Sequence, residues 1–201
     1  AAEIVRAEAA RGTKSLAIAA PGFAADCVET REELAIRGRE VFVAAGGAEF
    51  AALDVELLAI SSDTPTRSSF SCSHPMLQRF HENVVWSQRD NFVSVPTDCP
   101  QRDERLGWTG DAQVFAPTAC YLNDSHAFWV KWLRDLMCDQ RADGAIPHVC
   151  PDPTRGHEDK VPGFFGSTGW GDAIAVVPWT LWRHYGDKAI LAETLPAMIR
   201  W

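Results

Sequence analysis

"DSHAFWVKWLRDLMCDQ" (Asp124–Gln140) decides what kind of protein this is. Phe128, Trp129, Trp132, Leu133, Leu136 and Met137 recur at steps of three and four, while Lys131, Arg134 and Asp135 fall on the opposite side. That period lays one apolar stripe along an α-helix. Asp124 or Ser125 stands where an N-cap oxygen belongs. The same period recurs on both sides of this stretch. "SHPMLQRFHENVVWSQRDNF" starts with Ser73 as N-cap and Pro75 in the first turn, where a missing N–H costs little. Leu77, Phe80 and Val84 then form its expected stripe. A second helix is predicted from Thr109 or Gly110 to about Leu122, kinked at Pro117. Another runs from Trp170 to Tyr185, closed by Gly186, and a last one starts near Asp187.

The sequence before Ser61 reads differently. "LDVELLAI" (Leu53–Ile60) opens with strict alternation, and "REVFVAAGG" (Arg39–Gly47) is β-rich and ends in a glycine turn, so both are expected to be strands. "SSDTPTRSSFSCS" (Ser61–Ser73) is polar and reads as a junction. The expected organisation is a β-rich segment over 1–62, a junction over 63–73 and helices over 74–201. Helices in series fit a bundle, a solenoid or an α/α barrel, and periodicity does not choose among them.

Composition narrows the function. The chain has 201 residues, 46% of them apolar, which is enough for a real core. Its formal charge of −8 is wrong for a nucleic-acid partner or an anionic membrane surface. Eight tryptophans suit a helical core and also suit sugar rings, whose C–H faces stack on indoles. The six cysteines are widely and irregularly spaced, so free thiols and a cytoplasmic setting are expected. No zinc spacing or cofactor fingerprint is present in the sequence. The chain begins without Met and ends in mid-pattern at "MIRW", as a segment of a longer protein would.

Between the first two strong helices lies "TDCPQRDERLGWTGDAQ" (Thr97–Gln113). It gathers Asp98, Asp103, Glu104 and Asp111 around Arg102, Arg105 and Trp108. Cleaving a sugar bond takes two carboxyl groups, one protonated to help the leaving oxygen and one to act as base or nucleophile. Neighbouring carboxylates and an indole wall raise an acid's pKa, so Asp98, Asp111 and Trp108 would help Glu104 keep its proton. Arg102 and Arg105 oppose this unless they pair elsewhere. Composition by itself tilts slightly toward the plainer account, a helix cap braced by Arg–carboxylate pairs. His148 in the long loop Ala142–Gly169 reads as a structural donor before a sugar contact, His81 as a packing or surface residue, and Cys99 as packing.

The longer motif "VPTDCPQRDERLGWTGDAQVF" resembles the signature segment of bacterial α-L-rhamnosidases, glycoside hydrolase family 78. "FSCSHPMLQRFHENVVWSQRDNF", "FWVKWLRDLMCDQRADGAIPHVCP" and "GWGDAIAVVPWTLWRHYGD" extend the likeness over roughly Ser61–Trp201. The resemblance implies a mostly α fold: an incomplete (α/α)6 barrel, preceded by the end of a β-sandwich module. It implies hydrolysis of terminal α-L-rhamnose from a small molecule or oligosaccharide, with inversion. Glu104 would be the general acid. Asp98 and Asp111 would bind rhamnose hydroxyls, Trp108 would pack on the sugar, and Trp170 and Asp172 would lie near the pocket. Arg102 and Asp103 would brace the loop. The family's general base is a downstream glutamate that no residue here matches, so this chain alone is expected to be inactive. A non-catalytic carbohydrate-binding or scaffold protein on the same helical frame is the competing reading. The sequence leaves oligomeric state open.

Overall fold

In a computed structural model, residues 2–12, 38–45, 60–100, 105–157, 160 and 163–201 are described. They fall into two compact units, Ala1–Ile60 and Ser61–Trp201. In the first, α1 (Ala2–Ala10) and α2 (Gly38–Ala44) pack together. Phe42 is 3% exposed and meets Ala9, with Val41 and Ala45 beside it. This corrects the strand expected over Arg39–Gly47. Val41, Phe42 and Val43 favour strands locally, but residues 41, 42 and 45 share one face only on a helix. Burying Phe42 against Ala9 outweighs a propensity difference of about 1 kcal/mol or less. The described residues of this unit contain no strand, so the β-rich segment finds no support there. Most of the strand expected over Leu53–Ile60 lies outside the described residues.

The second unit contains α3 (Pro75–Asn91), a two-stranded hairpin of β1 (Phe92–Val93) and β2 (Val95–Pro96), α4 (Thr109–Leu122), α5 (His126–Asp139), α6 (Ala173–Tyr185) and α7 (Lys188–Arg200). The hairpin is antiparallel, pairing Phe92 with Pro96 and Val93 with Val95. Helix α6 is the hub, packed on α4, α5 and α7. Small residues make this possible. Ala112, Ala116 and Ala119 on α4 are buried, as are Ala173, Ile174, Val177 and Leu181 on α6. The α5 stripe is buried as expected: Trp129, Trp132, Leu133 and Leu136 are fully enclosed. Each buried Leu of this kind contributes about 1.5–3 kcal/mol.

The helix ends follow their local chemistry. Asp187 caps α7 by accepting from Ala189 N (2.8 Å) and Ile190 N (3.2 Å). Gly186 closes α6 at φ 73°, where a side chain would be strained. Helix α4 continues through Pro117. Helix α3 starts at Pro75 with His74, not Ser73, as its N-cap. Its expected stripe is not a core stripe among the described residues, because Leu77 is 54% and Phe80 66% exposed. The polar segment after Ser61 is tied down within this unit: Ser62 N donates to Phe92 O (2.6 Å) and Asp124 N to Pro65 O (2.7 Å). Asn123 Nδ2 donates to Thr64 O (2.6 Å).

Candidate active site

A cavity of about 580 Å³ opens where α3, the hairpin, the start of α4 and the turn before α6 converge. That volume is within the usual range for a small-molecule site. Asp98, Asp111 and Trp170 line it, so three of the residues singled out from the sequence meet at one place. Phe92, Phe115 and Trp129 supply its apolar wall, and Gln88 and Asn91 polar groups from the end of α3.

Each acidic residue reaches the cavity by a short chain of local causes. Asp98 follows the hairpin, whose turn residue Ser94 takes a positive φ of 67°. That turn is held by Ser62 Oγ accepting from Ser94 N (2.8 Å) and by Lys131 Nζ donating to Ser94 O (3.2 Å). Asp98 N then donates to Leu106 O (3.1 Å), and Leu106 N donates back to Asp98 Oδ1 (3.1 Å). The two ends of the carboxylate-rich segment are thereby clamped together. Residues 101–104 lie outside the described residues, and Arg102, Asp103 and Glu104 with them. Arg105 donates from Nη2 to Asp90 O. Burial pushes the Asp90 carboxyl up, and the Arg105 charge partly offsets this. Asp111 sits in the first turn of α4, where the helix dipole favours an anion.

Glycine sets the close approaches here. Gly107 lies so near the long loop that a Cβ would fall 2.3 Å from Cys150 O. Cys150 N donates to Gly107 O and Thr109 N to His148 O, both at 2.9 Å, which seats the loop on the start of α4. A Cβ on Gly110 would meet Gly169 O at 3.0 Å and the Trp170 ring at 3.1 Å. The indole of Trp170 therefore lies against bare backbone at the first turn of α4.

Trp108 and Asp172 are placed differently from Asp98, Asp111 and Trp170; neither lines the cavity. Trp108 packs on Phe164, with ring centroids 5.5 Å apart. His148 stands between Phe164 (5.6 Å) and Trp170 (5.4 Å), completing an aromatic wall behind the cavity. Burial lowers the pKa of His148. The Asp172 carboxylate accepts from Gly169 N with one oxygen and from Trp201 Nε1 with the other, both at 3.0 Å. Its position is that of a brace for the turn carrying Trp170. Gln113, whose Nε2 donates to Gly169 O, holds the same turn from α4. Sequence reasoning missed both Gln88 and Gln113. No local pattern in the sequence marks which amide the packing will bury or engage.

The described cysteines, Cys72, Cys99, Cys120, Cys138 and Cys150, are all free. Among the described residues no group of three or more His, Cys, Asp or Glu side chains is placed to hold a metal ion. The arrangement suits a neutral, hydroxyl-rich ligand: carboxylates to accept hydroxyl protons, and an indole with a half-open face to cover a ring.

The second unit is thus a mostly helical frame whose cavity is lined by two carboxylates and an indole. The family model of the bacterial alpha-L-rhamnosidase 6 hairpin glycosidase domain matches residues 65–201. An alpha-L-rhamnosidase of Streptomyces avermitilis is 48% identical over 140 residues, covering 70% of this chain and 13% of that protein. One from Formosa agariphila is 45% identical over 133 residues, covering 66% of this chain and 14% of its own length. Among solved structures, the S. avermitilis alpha-L-rhamnosidase complexed with L-rhamnose superposes with a TM-score of 0.66 at 46% identity, covering 71% of this chain and 13% of that one. Native rhamnosidase from Aspergillus terreus superposes at 0.63 and 41% identity, covering 72% and 16%. The chain belongs to the bacterial α-L-rhamnosidase family through its 6-hairpin glycosidase domain. It spans only about an eighth of the length of the first of these relatives.

Residues 1–56 have a different likeness. A ferrochelatase model matches them, and a ferrochelatase of Edwardsiella ictaluri is 55% identical over 49 residues, 24% of this chain and 15% of that protein. This differs from the expected end of a β-sandwich module.

Proposed function

We propose that Ser61–Trp201 carries the acid-bearing part of a site that hydrolyses terminal α-L-rhamnosides with inversion. The observation that carries this reading is the meeting of Asp98, Asp111 and Trp170 in one cavity, although Trp170 is far from both in sequence. Asp98 and Asp111 accept hydrogen bonds from ring hydroxyls, and the Trp170 face covers the apolar side of the sugar. Trp108 acts from behind, through the aromatic wall. Glu104, between Asp98 and Asp111 in sequence, protonates the departing glycosidic oxygen. A base outside this segment activates water on the opposite face, about 6.5–9.5 Å from the acid carboxyl in an inverting geometry. The substrate is a rhamnosylated small molecule or oligosaccharide.

The test is Glu104→Gln in a hydrolytically active protein that contains this segment. Loss of a general acid costs about 10²–10⁴-fold in rate. The loss should be large for a rhamnoside with a poor leaving group and much smaller for one with a strongly acidic phenol, which departs without a proton. Equal losses on both substrates, or none, would remove Glu104 from the role. This chain alone should bind L-rhamnose and release none from an aryl α-L-rhamnoside.

A further inference from the structure

Buried amides and indole N–H groups nearly always have partners, because leaving one unpaired costs about 1–3 kcal/mol. Gln88 is 1% exposed, and neither Nε2 nor Oε1 has a hydrogen-bond partner. Trp129 is fully buried, and its Nε1 is also unpartnered. Both residues line the cavity that holds Asp98, Asp111 and Trp170. Their surroundings explain why nothing in the fold pairs with them. Trp129 is enclosed edge-to-face by Phe92, Phe128 and Trp132, none of which offers an acceptor there. By contrast Trp132, one turn further on, donates its Nε1 to Cys150 O at 3.3 Å. The fold therefore satisfies a neighbouring indole and leaves the cavity-side one open.

We propose that Gln88 and the Trp129 indole N–H form a polar floor of the cavity and bind ring hydroxyls of the sugar. This inference rests on the sugar-site reading above. A primary amide both donates and accepts, as a sugar hydroxyl does, so the two can pair in either sense. Trp129 only donates, so it takes a hydroxyl or ring oxygen as acceptor. The three unpaired atoms have almost no accessible surface, so a hydroxyl reaches them only when a side chain over them turns aside. Gln88 reaches it by rotation of its flexible side chain. Asp98 and Asp111 can only accept while ionised. The floor thus adds donors to a site whose carboxylates supply acceptors, and it discriminates among sugars by where their hydroxyls lie.

The experiment is calorimetric titration of L-rhamnose and its 2-, 3- and 4-deoxy analogues into the chain, and into Gln88→Leu and Trp129→Phe. Gln88→Leu should weaken L-rhamnose binding about five- to tenfold, as expected for one or two lost hydrogen bonds. Its unfolding midpoint should hold or rise, because the change removes an unpaired buried amide. One deoxy analogue should bind the parent more weakly than rhamnose, yet bind Gln88→Leu as well as rhamnose does. Unchanged rhamnose affinity in Gln88→Leu would overturn the floor and leave the sugar site standing. Deoxy analogues that all bind the parent protein as tightly as rhamnose would overturn the floor and the carboxylate–hydroxyl contacts together, a result that needs no variant to fold. A parent chain that binds no L-rhamnose would overturn both.

Discussion

Asp172 and Trp201 are joined by a hydrogen bond of 3.0 Å, from the indole N–H at the end of α7 to the carboxylate that begins α6. The second oxygen of the same carboxylate holds Gly169 N, next to the cavity residue Trp170. Trp201 packs so closely over Gly171 that a Cβ there would lie 2.4 Å from its ring. One side chain thus ties the last helix to the turn that presents an indole to the cavity.

Removing that tie should loosen the turn without touching the ligand. Asp172→Ala is expected to lower stability by about 1–3 kcal/mol, the usual range for losing charge-assisted hydrogen bonds. Asp172→Asn keeps one acceptor and should lose less. Both should weaken L-rhamnose binding in the same order, read by thermal unfolding and titration. Full affinity in Asp172→Ala would show that the Trp170 turn holds itself.

Gly110→Ala separates stability from binding. Alanine in a helix gains about 0.5–1 kcal/mol over glycine. The added Cβ would press on Gly169 O at 3.0 Å and on the Trp170 ring at 3.1 Å. Trp170 is 39% exposed, so its ring has room to swing away. The two effects on stability should nearly cancel, leaving a change within about 1 kcal/mol. The displaced indole should still cost sugar affinity, visible by titration and by a shift in tryptophan emission.

Acid should destabilise the helical unit at mildly low pH. Burial holds the pKa of His148 below its ordinary value. His184 is lowered by burial and then by Arg67 and Arg183. The unfolded chain therefore binds these protons more readily than the fold does. Stability is complete above the unfolded histidine value of about 6.5 and falls as pH drops from there toward the depressed folded values. His148→Gln and His184→Gln should each flatten part of that slope in unfolding midpoints measured from pH 8 to pH 5. A midpoint independent of pH over that range would contradict both assignments.

A chain beginning at Ser61 should keep the sugar site. The cavity residues, from Ser87 to Trp170, all belong to the second compact unit. L-rhamnose titration of that shorter chain should match the whole, and its circular dichroism should retain the signal of α3 to α7. A loss of binding would make residues 1–60 part of the site.

What could be read from residues alone was local or closely spaced. The α5 stripe was legible because Trp129, Trp132, Leu133 and Leu136 repeat at the helical period, and that face is the one buried. Asp98 and Asp111 were legible because a short charged segment carries both. Helix α2 was not, since seven residues rich in Val and Phe hold no local reason to coil; packing Phe42 on Ala9 supplies it. Leu77 and Phe80 show the converse, a helical period whose apolar face stays largely exposed among the described residues.

Tertiary structure alone decided which groups meet. It brought Trp170 to Asp98 and Asp111 and turned Trp108 toward Phe164. It also occupied the Asp172 carboxylate with Trp201 and left the Gln88 amide unpaired beside a cavity. The physical reason is that hydrophobic period is a property of neighbours along the chain. Whether a polar atom has a partner depends on segments that only packing brings together.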